Sequence, residues 1–212
     1  MRKFVVLIFL FSLGLLSDAQ QVLVYQKPDP SKIPVPVQLM RSVVNIETEC
    51  NHGDAVVREE GTGFFIAYSD PRLPKDQNFQ YLVTNRHVAQ CWDEHNVPGT
   101  ITGMVFRENL EDGSSRKVPV PWPLWRFPID ESVDLAALPI LVNHDSLTIL
   151  TPVETLVTKD FMYQNQISEG SRIMLAGYFY QFPGEKRFQS ILREGIISMI
   201  PNEPMSTTTG KS

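Results

Sequence analysis

From Val37 onward the apolar residues of this chain fall in short runs, rich in β-branched and aromatic side chains and cut by Gly, Pro, Asn and Asp. Such runs predict strands over residues 42–48, 61–68, 80–84, 101–107, 135–142, 172–180 and 188–200, with Pro139 disturbing the fifth. The polar stretch 108–115 reads as a hairpin turn, and Phe182-Pro183-Gly184-Glu185 as a second. Helix signals are thin: a single turn is tolerated after His87, while Pro152 and three Thr argue against a long helix over 146–156. The pattern predicts an all-β fold of six to nine short strands, and periodicity alone does not choose between a barrel and a sandwich.

The flanks behave differently. Arg2 and Lys3 precede an almost unbroken apolar run over residues 4–16, and Ser17-Asp18-Ala19 puts small residues where a signal peptidase reads. The expectation is a signal peptide over residues 1–19 and an exported, periplasmic or extracellular product. The run is shorter than the roughly 20 residues a membrane span needs, so no stable anchor is expected after cleavage. Pro28, Pro30, Pro34 and Pro36 make residues 20–36 a Pro-rich extended arm. Pro119, Pro121, Pro123 and Pro128 alternate with Trp122, Trp125 and Phe127, a segment that cannot be a central strand and is expected to lay its rings against the body.

Charge narrows the partners. With a formal net charge of −5 and Lys and Arg scattered along the chain, no nucleic-acid surface is expected, because phosphate backbones need clustered cations. The chain has two cysteines, Cys50 and Cys91, and in an exported protein they read first as one disulfide. A second arrangement stays open, in which Cys50, His52, Cys91 and His95 form a zinc set, as do free thiols.

Among the four histidines, His87 stands out by position. It follows the apolar run Tyr81-Leu82-Val83-Thr84 where the chain leaves a strand, which places an imidazole between a rigid core and solvent, as a general base requires. Asp134, just before Leu135-Ala136-Ala137-Leu138, is the natural carboxylate to accept the other ring N–H, with Asp130 and Glu131 as local competitors.

Three blocks carry a resemblance: Gly61-Thr62-Gly63-Phe64-Phe65-Ile66, then Leu82-Val83-Thr84-Asn85-Arg86-His87-Val88, then Asp134-Leu135-Ala136-Ala137-Leu138. In that order they resemble the bacterial trypsin-like serine peptidases, and Gly170 to Tyr178 and Leu192 to Ser198 are similar to the strands that open the family's second barrel. The resemblance implies an all-β, trypsin-like double β-barrel with catalytic His87 and Asp134 and no cofactor. It divides the chain into an N-terminal barrel over 37–142, an inter-barrel linker over 143–171, a partial C-terminal barrel over 172–200 and a disordered tail over 201–212.

The family's Gly-x-Ser-Gly block, which supplies nucleophile and oxyanion donors, does not occur; the nearest candidate is Gly210-Lys211-Ser212. The expectation is therefore a secreted serine endopeptidase, acting on a polypeptide substrate in its complete form, whose sequence stops short and leaves this chain inactive. The alternative is a non-catalytic exported all-β binding module or pseudo-peptidase that uses its surface and the Trp122–Trp125 region for protein or peptide contact.

Overall fold

The computed structural model describes residues 34–53, 55–74, 77–92, 99–179 and 184–201. The expected signal peptide, most of the Pro-rich arm, His95, and all but Pro201 of the expected tail lie outside them. A short helix, α1 (Val35–Ser42), opens the described chain. Pro36 sits in its first turn, where the missing N–H has no intrahelical acceptor to lose, so a proline that reads as part of an extended arm is compatible with a helix start.

Strands β1 (Val43–His52), β2 (Ala55–Tyr68), β3 (Phe79–Thr84), β4 (Thr100–Asn109), β5 (Ser115–Pro119), β6 (Ala136–Pro139) and β7 (Thr151–Pro152) form one sheet in the order β5-β4-β1-β2-β3-β6, with β7 parallel to β2 beyond the end of β1. A single turn of helix, α2 (Arg86–Ala89), follows β3, and α3 (Lys159–Gln164) follows β7. Strands β8 (Arg172–Tyr178) and β9 (Ser190–Ile196) pair only with each other, as a separate antiparallel ribbon.

Alternation assigns the faces. On the front face, Val44 and Ile46 of β1, Phe65 of β2, Leu82 of β3, Met104 and Phe106 of β4 and Leu138 of β6 are buried, with the rings of Phe65 and Phe106 packed edge to face at 5.4 Å. The Pro/Trp segment lies over this core as its composition predicts: Trp125 is buried and its indole N–H points at Met104 Sδ, 3.2 Å away. On the back face, the Tyr178 N–H donates to Thr62 Oγ1 at 3.0 Å and draws the ribbon against the sheet.

The double β-barrel is not found. No pairing joins β5 to β6 among the described residues, so the seven-stranded sheet stays open, and the second sheet has only two strands. The physical reason lies at the edges. β6 is four residues long and ends on Pro139, and β5 is five residues long and ends on Pro119, both residues that lack the donor a ladder needs. The outer edge of β6 is met instead by Arg126, whose N–H donates to Ala137 O at 2.8 Å and whose carbonyl accepts from Ala137 N at 2.9 Å. The segments expected to form two barrels, 37–142 and 172–200, thus make two unclosed sheets. Among the described residues no helix is long and apolar enough to cross a membrane.

Candidate functional site

At the C-terminal end of β3 the chain turns into α2, and two features hold that turn to the sheet. Thr84 Oγ1 donates to Thr62 O at 2.8 Å, and Val88 sits directly over Gly61, where an added Cβ would come within 2.5 Å of Val88 Cγ1. Gly61 thus permits a backbone-to-side-chain approach that any larger residue would block. His87 lies between these anchors and is exposed.

Asp134 is brought to it from the loop before β6. The His87 backbone N–H donates to Asp134 Oδ1 at 3.1 Å, and the ring Nδ1 lies 2.7 Å from Asp134 Oδ2. A carboxylate can only accept here, so Nδ1 carries the proton of the neutral ring and the Nε2 lone pair faces outward. Asn85 Nδ2 adds bonds to Asp134 Oδ2 at 3.1 Å and to Asp134 O at 3.2 Å. Burial pushes the Asp134 carboxyl up, but the backbone N–H and imidazole of His87, with the Asn85 amide, outweigh it and hold it below the ordinary carboxylate value. Beside the pair, Arg86 stacks over Phe127 at 5.1 Å and donates to Pro128 O at 2.9 Å, which fixes the loop that leads to Asp134. The competitor Asp130 is occupied elsewhere, accepting from Ser132 Oγ at 2.7 Å and Ser132 N at 3.0 Å.

The same end of the sheet holds the disulfide between Cys50 and Cys91. His52 and Glu59 lie beside it, and the nearest ligand atoms of Cys50, His52 and Glu59 are all within 4.8 Å of one another. Burial raises the Glu59 carboxyl, opposed by the charges of His52 and His87. With the cysteines joined, as first expected, the alternative zinc set of Cys50, His52, Cys91 and His95 has no thiolate to offer, and His95 lies outside the described residues.

Two features were not legible in the sequence. The ribbon leaves Met174 50%, Leu175 58% and Ile196 57% exposed, and these strands read from sequence as ordinary barrel members. Where the ribbon meets α1, a cleft of about 260 Å³ opens between Val37, Met40, Leu147, Phe188 and Ser190. In the Trp122–Trp125 region Trp125 is buried and Trp122 packs against the core, while Leu124 stays exposed.

No family model matches the chain, and no curated protein matches its sequence. Together with the unclosed sheets, this overturns the resemblance to trypsin-like serine peptidases and the endopeptidase function drawn from it; the chain is an all-β domain of two small open sheets.

Proposed function

We propose that the protein is a non-catalytic, exported all-β binding module that takes an extended polypeptide along the β8–β9 ribbon. One observation carries this reading: the ribbon has no third strand among the described residues, yet it carries large apolar side chains on both faces. By the register, Met174 and Ile196 share one face with the cross-strand pair Ala176 and Leu192, while Leu175 shares the other with Ile173 and Ile191. A two-stranded ribbon is marginal alone, and its open edges offer backbone N–H and C=O groups that a third strand can pair. Strand addition would supply main-chain bonds for affinity and place alternate side chains of the peptide beside Leu175 or Ile196. The cleft at the foot of the ribbon would receive an apolar side chain at one end of that peptide. Export rests on the charged and apolar N-terminal pattern of residues 1–19.

The test is a panel of extended peptides with alternating apolar positions, titrated into isotopically labelled protein. Resonances of Arg172–Tyr178 and Ser190–Ile196 should shift together. N-methylation of alternate peptide amides should abolish the effect, and so should Leu175→Asp with Ile196→Asp, substitutions at exposed positions that cost little stability. Shifts confined to other surfaces, or equal binding by the N-methylated peptide, would remove strand addition as the mode.

A further inference from the structure

The disulfide end of β1 carries more donors than a disulfide uses. Cys50 and His52 are two residues apart on β1, and Glu59 of β2 stands opposite Thr48, so all three side chains lie on the front face of the sheet. Cys91, bonded to Cys50, holds a second sulfur next to this group, outside the three donors that already lie within 4.8 Å of one another. His52 Nε2 is buried with no hydrogen-bond partner among the described residues, a costly state for a ring nitrogen. Two sulfurs, an imidazole and a carboxylate make up a four-coordinate donor set suited to a borderline-soft divalent cation.

We propose that Cys50, Cys91, His52 and Glu59 form a zinc-type site in the reduced protein, and that the disulfide and the cation are mutually exclusive occupants of the same sulfurs. The required movements are small for three of the donors, and the Cys91 sulfur swings in to join them once the S–S bond is cut. Tetrahedral zinc with sulfur at about 2.3 Å and nitrogen or oxygen at about 2.0 Å places its ligand atoms roughly 3.3–3.8 Å apart. The donors of Cys50, His52 and Glu59 already lie within 4.8 Å of one another, so side-chain rotations of about 1 Å close the set. The two sulfurs must part from about 2.0 Å to roughly 3.8 Å, which only cleavage of the S–S bond permits.

The chemistry balances with a dithiol as reductant. Thiol–disulfide exchange delivers two electrons and two protons, leaving Cys50 and Cys91 as thiols and the reductant as its own disulfide. A divalent cation then displaces both thiol protons to solvent and binds two thiolates, neutral His52 and ionised Glu59. In the reverse direction, a small-molecule disulfide that reoxidises the pair expels the cation. Cys50 and Cys91 are both buried, so exchange proceeds through local opening and loading is fastest in protein that has not yet been oxidised.

The full chain should be prepared oxidised and, in parallel, reduced with a phosphine under anaerobic conditions, and each form titrated with Zn²⁺ against a chromogenic chelator and with Co²⁺ by absorption. The reduced form should retain one ion per chain, show the thiolate-to-cobalt and tetrahedral bands, and melt at a higher temperature with Zn²⁺ than without. The oxidised form should retain none. His52→Ala and Glu59→Ala, which keep both cysteines, should each weaken reduced-state binding by at least about tenfold. If reduction alone unfolds the chain, Zn²⁺ should restore its near-UV dichroism, and failure to do so overturns the site. Undiminished binding by the His52→Ala/Glu59→Ala double variant, or no ion in reduced wild type, overturns it equally.

Discussion

The side-chain amide of Asn109 hydrogen-bonds both backbone groups of Phe188: its Nδ2 donates to the Phe188 carbonyl and its Oδ1 accepts from the Phe188 N–H, each at 3.1 Å. A carboxamide at the end of β4 thus copies a strand's backbone and ties the ribbon to the open sheet. Arg107 adds a bond from Nη2 to Glu185 O at 3.1 Å. Asn109→Ala should leave both Phe188 groups without these partners, at a cost of about 1–3 kcal/mol in the ribbon's local stability. Amide exchange should accelerate in β8 and β9 and change little in β1–β4; uniform acceleration would mean that the ribbon and sheet open as one unit.

Glu108 and Arg116 pair directly across β4 and β5. Glu108 is fully buried, its Oε1 lying 2.5 Å from Arg116 Nη2, and Arg116 also reaches Asp145 Oδ1 at 3.0 Å. These carboxylates raise the Arg116 pKa further above its already high value. Arg116→Met should destabilise by roughly 3–5 kcal/mol, because it strands a buried carboxylate. Adding Glu108→Leu should recover most of the loss in denaturant unfolding. A double variant no better than the single one would show that the pair's worth lies in packing instead of charge.

The disulfide closes a loop with a sequence separation of 41 residues. Chain-entropy reasoning puts its contribution near 4 kcal/mol. Cys50→Ala with Cys91→Ala should therefore lower the unfolding free energy by about 3–4 kcal/mol. A loss under about 1 kcal/mol would mean that the unfolded chain is already compact in this region.

Asp134 sets a pH dependence of definite sign. Its folded pKa is depressed, so the stability it contributes is complete above its unfolded pKa and is lost as pH falls through the lower folded value. Asp134→Asn should be less stable than wild type near neutrality, and the gap should narrow as pH falls below about 4. Stability measured from about pH 6 to about pH 3 decides this, and a gap that widens on acidification contradicts it.

By itself the sequence determined where most of the strands lie. Short β-branched and aromatic runs placed β1, β3, β4, β8 and β9 to within a few residues, because a half-buried strand shows its period in its own side chains, whereas β2 begins at Ala55, well before the predicted start at 61. The sequence pattern predicts no strand at β5, where only Ser115 falls in the expected turn over 108–115: Ser115, Arg116 and Lys117 carry no apolar alternation and become a strand only by pairing with β4. Helix α3 carries a local signal outside the strand pattern: the Thr158 hydroxyl accepts from Phe161 N at 3.1 Å, an N-cap legible as Thr followed by an acidic first turn. Tertiary structure alone decided whether the strands close. Closure depends on which edges meet after folding, and Pro119, Pro139 and the Arg126–Ala137 bridge settle that far from any single run. The candidate site divides the same way: sequence singled out His87 by position and left Asp134 beside Asp130 and Glu131, whereas the pairing of Asp134 with His87, and the gathering of Cys50, His52 and Glu59 on one face through the β1–β2 register, follow from contacts that no local pattern displays.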